Sequence, residues 1–132
     1  MKSNIRNYGK FATAISCIDG RVQPPILDWI RKTHFVDFVD AITEPGANKA
    51  LSEKNIDKIK QLKSKVLISV NAHRSDLVVI SGHHDCAANP ASKETHLMQI
   101  QKSINVVRSW KLPIEVIGIW INDQWEVEEI QK

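Results

Sequence analysis

Two short segments combine residue types that can bind a metal ion and activate water. The first is Cys17-Ile18-Asp19-Gly20-Arg21, and the second is Gly82-His83-His84-Asp85-Cys86. Together they contain the only two cysteines of the 132-residue chain. Two thiolates and one imidazole make three protein ligands for a tetrahedral zinc ion, which leaves the fourth position open to water. This number of ligands is typical of a catalytic zinc site rather than a closed structural one.

The spacing within the second segment selects one histidine as the candidate ligand. His83 and Cys86 are three positions apart, so both side chains can face one ion from a tight turn or the start of a helix. Two adjacent residues rarely point at the same ion, so His84 is predicted to be a neighbour of the site or a proton relay. Cys17 would then complete the set from an adjacent strand. The predicted metal ligands are therefore Cys17, His83 and Cys86.

Asp19 and Arg21 are predicted to act beside the metal rather than as a silent ion pair. They are two positions apart on the segment that follows the first apolar run. An exposed ion pair would contribute only ~0–1 kcal/mol to stability and would have no function. Next to a metal, the carboxylate can accept a hydrogen bond from bound water or bind the ion itself, while the guanidinium holds the carboxylate in place. We favour this second role and predict both residues to be catalytic.

Two other roles for the cysteines remain open at this point. Free cysteines are often buried and inert, and behave as small apolar residues of the core. A redox pair is the other alternative, although such pairs usually lie close in sequence as C-x-x-C. The Asp, Arg and His residues that flank Cys17 and Cys86 favour a metal site over both.

Composition and charge limit the classes of protein to which the chain can belong. The hydrophobic fraction of 42% and charged fraction of 25% are typical of a globular protein, and we predict one domain over residues 1–132. The net charge is +3, but no basic block or aromatic-interleaved stripe indicates nucleic-acid binding. No apolar run approaches the ~18 residues that span a membrane. Residues 1–10 lack the apolar core of a signal peptide, so we predict a cytoplasmic location, where cysteines more often bind metals than form disulfides.

Strand-like and helix-like segments alternate along the chain. The predicted strands cover residues 11–16, 35–42, 77–81, 114–121 and 125–130. The first predicted helix begins at Pro24-Pro25. Three further helices are predicted at residues 53–63, 65–74 and 93–110. Residues 66–70 also suit a strand by propensity. We predict a helix there because a second strand-like run follows at once, without a breaker between them.

This alternation predicts an α/β fold with a mostly parallel sheet, helices on its faces and an antiparallel hairpin at the C-terminal edge. Both segments follow the carboxyl ends of predicted strands, where open α/β sheets bind their ligands. If those strands are neighbours, Cys17 meets His83 and Cys86. The other histidines, His34, His73 and His96, show no pattern of partners and are predicted to lie on the surface.

The two segments together resemble the β-class carbonic anhydrases. That family is similar in carrying C-x-D-x-R after its first strand and G-H-x-D-C after a later one, and residues 118–122 resemble its last strand and hairpin. The resemblance extends over residues 11–130. It implies the family's α/β fold and a zinc enzyme that interconverts carbon dioxide and bicarbonate as a homodimer or higher homo-oligomer. The charge pattern and the lack of a long apolar run separately predict no nucleic-acid and no membrane partner.

Carried over by position, the resemblance implies zinc bound by Cys17, His83 and Cys86. It also makes Asp19 and Arg21 a gating pair. While Asp19 pairs with Arg21, the fourth zinc position holds water, and when that pair breaks Asp19 closes the site.

The chain departs from the family at positions that shape the pocket. Ala87 and Ala88 follow the second segment where the family usually has two glycines. The loop at residues 43–48 lacks the family's arginine, and the segment before the first strand is short. Two alternatives therefore stand beside carbonic anhydrase activity. One is a non-catalytic zinc-binding or regulatory protein, and the other is a zinc hydrolase of carbonyl sulfide or carbon disulfide.

Overall fold

The computed structural model describes residues 9–130. The prediction that no signal peptide precedes the first strand falls mainly on residues 1–8, which lie outside the described part. Within residues 9–130, no helix combines the length and the apolar character that crossing a membrane requires.

Five strands of the described chain form one sheet in the order β2-β1-β3-β4-β5. Their bounds are β1 Phe11–Ser16, β2 Phe38–Thr43, β3 Leu77–His83, β4 Glu115–Ile121 and β5 Val127–Glu129. Strand β1 pairs in parallel with β2 and β3, β3 pairs in parallel with β4, and β5 runs antiparallel to β4. The predicted mostly parallel sheet with an antiparallel C-terminal hairpin is confirmed.

Helices cover both faces of the sheet: α1 Gln23–His34, α2 Ala47–Ser52, α3 Ile56–His73 and α4 Lys93–Arg108. The central strands β1, β3 and β4 are buried along nearly their whole length, as expected for a sheet that is covered on both sides. One core lies beneath α2, α3 and α4 and includes Ile15 and Ile80. The other lies beneath α1 and includes Ala14, Val79 and Ile119.

The segment that fits both helix and strand lies within α3. Its helical turns bury Val66 and Val70, while Ile68 is 64% exposed. The side chain of Asn55 accepts a hydrogen bond from the backbone N–H of Lys58 and so caps the N-terminus of α3. The two helices predicted at residues 53–63 and 65–74 are therefore one continuous helix.

Two strands begin later than predicted, and one helix was not predicted. Strand β2 begins at Phe38 rather than at residue 35, because Phe35 has a left-handed backbone (φ 55°) and ends α1. The last strand pairs only over Val127–Glu129, since the left-handed Trp125 (φ 61°) belongs to the turn of the hairpin. Helix α2 was not predicted, because its six residues are too few for a helical pattern to show in the sequence.

Candidate metal centre

The order of the strands brings the two segments together. Strands β1 and β3 are neighbours at the centre of the sheet. The next strand along the chain lies on the outer side of each, β2 beside β1 and β4 beside β3. Such a reversal of strand order opens a crevice at the carboxyl ends of the strands. Cys17 directly follows β1, and His83 is the last residue of β3. The predicted convergence of the two segments is confirmed.

Cys17, His83 and Cys86 form a compact cluster of side chains. Their potential ligand atoms all lie within 4.8 Å of one another, and all three residues are at most 7% exposed. The two cysteines are free, with their Sγ atoms 3.9 Å apart. A disulfide would require about 2.05 Å. Two thiolates bound at about 2.3 Å to one tetrahedral ion would lie about 3.8 Å apart, so the spacing fits a shared metal.

The hydrogen bonds of His83 leave one ring nitrogen free for a metal. Its Nδ1 lies 2.8 Å from the carbonyl oxygen of His84, which can only accept, so Nδ1 carries the proton. Its Nε2 is buried and has no hydrogen-bond partner among the described residues. A metal-binding histidine commonly donates its other N–H to a carbonyl in this way. The unpartnered Nε2 beside two thiols therefore fits zinc.

The environment of Cys86 opposes a free thiolate. Burial raises the pKa of the Cys86 thiol, and the nearby Cys17 raises it further. Backbone N–H groups of Ala88 and Asn89 act in the opposite direction but are weaker. A cation bound between the two sulfur atoms would offset the cost of burying their negative charge.

Asp19 and Arg21 form the ion pair that their spacing suggested. Arg21 Nη2 lies 2.6 Å from Asp19 Oδ2, and Arg21 Nε lies 3.0 Å from Oδ1. These side-chain hydrogen bonds are the main cause that lowers the pKa of Asp19 from 3.8 to about 2. The carboxylate likewise raises the pKa of Arg21. The side-chain amide of Gln23 donates to the backbone carbonyls of Cys17 and Asp19, which holds this segment in place.

Two further residues contact the guanidinium of Arg21, and neither was identified from the sequence. Asp85 accepts hydrogen bonds from Arg21 through its carboxylate at 3.2 Å and through its backbone carbonyl at 3.1 Å. The ring of Trp125 lies against the guanidinium, with its centroid 4.5 Å from Cζ. Asp85 belongs to the second segment, so Arg21 links the two segments directly. Only the tertiary structure brings these residues together, because no sequence spacing relates them.

A buried polar network supports the loop after Cys86. His96 Nε2 lies 3.0 Å from the carbonyl oxygen of Asn89, and His96 Nδ1 lies 3.0 Å from the side-chain amide of Asn48. The backbone N–H of Asn89 donates to the backbone carbonyl of Cys86. Gly82 allows this packing, since a Cβ there would lie 2.9 Å from His96 Nδ1.

The surface prediction is wrong for His96. This residue is only 1% exposed, because α4 lays it against β3 and the loop after Cys86. His73 has a side chain that is 43% exposed and bonds to Asp40, whereas His34 is half-buried. The sequence offered one signal for His96, which is its position on the apolar face of the predicted helix, four residues before Ile100 and eight before Ile104.

Fold and site together define an α/β protein with a candidate metal centre at the carboxyl ends of its central parallel strands. Residues 7–131 match the family model described as "Putative carbonic anhydrase". The chain belongs to this carbonic anhydrase family. No curated protein sequence matched the chain.

Solved structures of carbonic anhydrases share the fold. A β-carbonic anhydrase isoform I from Trichomonas vaginalis superposes with a TM-score of 0.60 at 17% identity, over 89% of this chain and 81% of that one. A carbonic anhydrase from Glaciozyma antarctica gives a TM-score of 0.60 at 12% identity, over 90% of this chain and 81% of that one. At these identities the likeness concerns the fold alone.

Proposed function

We propose that this protein is a zinc-dependent carbonic anhydrase that interconverts carbon dioxide and bicarbonate. The observation that supports this most is the buried cluster of Cys17, His83 and Cys86, with two sulfur atoms 3.9 Å apart and one unpartnered imidazole nitrogen. The match to the carbonic anhydrase family over residues 7–131 supports the choice of reaction.

The three clustered residues would hold the zinc ion through the two Sγ atoms and His83 Nε2. Zinc bound there would supply Lewis-acid activation of water near neutral pH. The His84 carbonyl keeps the proton of His83 on Nδ1, which fixes the ring and leaves Nε2 as a donor to the metal.

Asp19 and Arg21 would control the water that attacks carbon dioxide. With a pKa of about 2, the Asp19 carboxylate is ionised at neutral pH and can accept a hydrogen bond from that water. The same low pKa makes Asp19 a poor base, so its role is to orient the water rather than to remove the proton. The cationic Arg21 would also attract the bicarbonate anion.

The pairing of Asp19 with Arg21 supports an open form of the site. Arg21 binds both carboxylate oxygens of Asp19, and these bonds would have to break before Asp19 could bind the metal. We propose that this exchange opens and closes the fourth metal position.

Stopped-flow measurement of carbon dioxide hydration by the zinc-loaded protein at pH 7 to 9 tests the proposal. We expect hydration well above the buffer rate, and loss of that activity in Cys17→Ser. A wild-type rate no higher than that of Cys17→Ser would contradict carbonic anhydrase activity. Stoichiometric zinc without turnover would favour the regulatory alternative, and hydrogen sulfide released from carbonyl sulfide would favour the hydrolase.

We further propose a homodimer or higher homo-oligomer as the functional assembly. Within residues 9–130, β2 is an edge strand with a neighbour on one side, and it exposes half of Phe38. Exposed aromatic residues at a sheet edge are commonly covered by another chain. Sedimentation velocity at several concentrations measures the assembly, and a single monomeric species throughout would contradict it.

A further inference from the structure

Arg21 is held on two edges and one face by residues from three parts of the chain. Its Nε and Nη2 bind Asp19 on its own segment, while Nη1 and Nη2 bind Asp85 on the second segment. Its flat face lies on Trp125 of the hairpin turn, 4.5 Å from the ring centroid. A guanidinium held in this way has little freedom to turn away from Asp19.

Trp125 has a backbone conformation that places its ring at the site. Its φ of 61° is left-handed, which bulky residues rarely adopt, and its N–H donates to the carbonyl of Asn122. The ring packs partly against the core beneath α1 and also approaches His84, with the two ring centroids 6.3 Å apart. The hairpin turn thus places the ring of Trp125 against Arg21, which lies more than one hundred positions earlier in the chain.

The two kinds of contact restrain Arg21 in different ways. The Asp85 carboxylate binds another edge of the guanidinium and shares its positive charge with Asp19, whereas the neutral ring of Trp125 attracts the guanidinium without sharing that charge. The electron-rich face of an indole ring attracts a stacked guanidinium. Trp125 is therefore the contact that favours Arg21 staying where it binds Asp19.

We propose that Trp125 is a positioning residue that keeps Arg21 on Asp19 and so favours the open form of the metal site. This inference rests on the proposed function, since Asp19 must have a metal to move to. Removal of the ring should free Arg21, release Asp19 and increase the fraction of sites that Asp19 closes.

The first test follows the fourth metal position in cobalt-substituted protein, with azide as the probe and the visible absorption spectrum as the readout. We expect Trp125→Leu to raise the apparent dissociation constant of azide by up to about fivefold, because the closed form excludes the anion. Trp125→Phe keeps an aromatic face and should fall between Trp125→Leu and the wild type. Trp110→Leu is the matched control. Trp110 also lies near a cation, with Lys63 Nζ 5.8 Å from its ring centroid, but it packs against the core beneath α2, α3 and α4 rather than the core beneath α1 that Trp125 contacts.

The same titration in an Asp19→Ala background separates positioning from a merely structural role. Without Asp19 the site cannot close, so Trp125→Leu should no longer change azide affinity. An equal loss of affinity in both backgrounds, or no loss in either, would overturn the inference. If the wild-type protein itself binds neither cobalt nor azide, the proposed function fails instead.

A second readout needs no metal. The ¹⁵N–¹H signal of Arg21 Nε, assigned by its absence in Arg21→Lys, should exchange faster with solvent in Trp125→Leu and in Trp125→Phe than in the wild type. Unchanged exchange in a folded Trp125 variant would contradict the inference, and this measurement remains possible with Trp125→Phe if Trp125→Leu does not fold.

Discussion

The sulfur atoms of Cys17 and Cys86 lie 3.9 Å apart, although the residues are 69 positions apart in the chain. That separation is too long for a disulfide and matches two thiolates that share one tetrahedral ion. The buried Nε2 of His83 completes the set of donors. The first prediction concerns what this cluster binds.

We predict about one zinc ion per chain, bound by the two cysteines and His83. Cys86→Ser and His83→Gln should each weaken zinc binding by more than about 100-fold. Loss of a residue that only orients a metal ligand already weakens metal binding by up to about 100-fold, and loss of the ligand itself should cost more. Elemental analysis and competition with a chromophoric chelator measure both quantities. His73→Gln is the control, because His73 bonds to Asp40 away from the cluster and should leave the metal content unchanged.

The pKa of Asp19 provides the second prediction. Arg21 lowers this pKa from 3.8 to about 2, mainly through its side-chain hydrogen bonds. Because the folded-state value lies below the ordinary one, the pair stabilises the protein above pH 3.8, and that contribution is lost as the pH falls towards 2. In Arg21→Ala the titration midpoint of Asp19 should move back towards 3.8, as measured by carboxyl ¹³C NMR of the metal-free protein. A midpoint that stays near 2 would show that Arg21 is not the cause.

The third prediction is a loss of stability in mild acid, caused by His96. The Asn48 amide donates to Nδ1 of His96, and Nε2 donates to the Asn89 carbonyl, so this arrangement requires a neutral ring. Burial lowers the pKa of His96 below 6.5. The unfolded chain therefore binds more protons, and the free energy of unfolding should fall as the pH drops below about 6.5.

Urea denaturation from pH 5 to pH 8 measures this dependence. The fall in stability below about pH 6.5 should be smaller in His96→Gln than in the wild type, because glutamine does not titrate. If the free energy of unfolding fell equally with pH in the two proteins, the assignment to His96 would be contradicted.

The fourth prediction concerns the close packing at Gly82. A Cβ at this position would lie 2.9 Å from His96 Nδ1 and 3.0 Å from Asn48 Nδ2, closer than side-chain atoms pack. Gly82→Ala should therefore lower the free energy of unfolding by about 1–3 kcal/mol, the usual cost of overpacking. Gly20→Ala is the matched control, because a methyl group there would meet no described atom within 4 Å beyond its chain neighbours. It should change stability by less than about 0.5 kcal/mol.

The sequence by itself determined the candidate ligands and the architecture that carries them. Cys17, His83 and Cys86 are recognisable because their residue types and their places after apolar runs are local properties of the chain. The parallel sheet follows from alternating strand and helix patterns, since continuous apolar runs separated by helices can be buried only in that way. The pairing of Asp19 with Arg21 is equally local, because the two residues lie only two positions apart.

The tertiary structure alone decided how the site is supported. Trp125 and Asp85 meet on Arg21, and His96 braces the loop after Cys86, because distant strands and a helix converge at one end of the sheet. Such contacts depend on strand order and on left-handed residues at the turns, neither of which leaves a periodic signal in the sequence. The residue types thus identify the candidate metal ligands, while the fold determines which neighbours hold the Asp19–Arg21 pair.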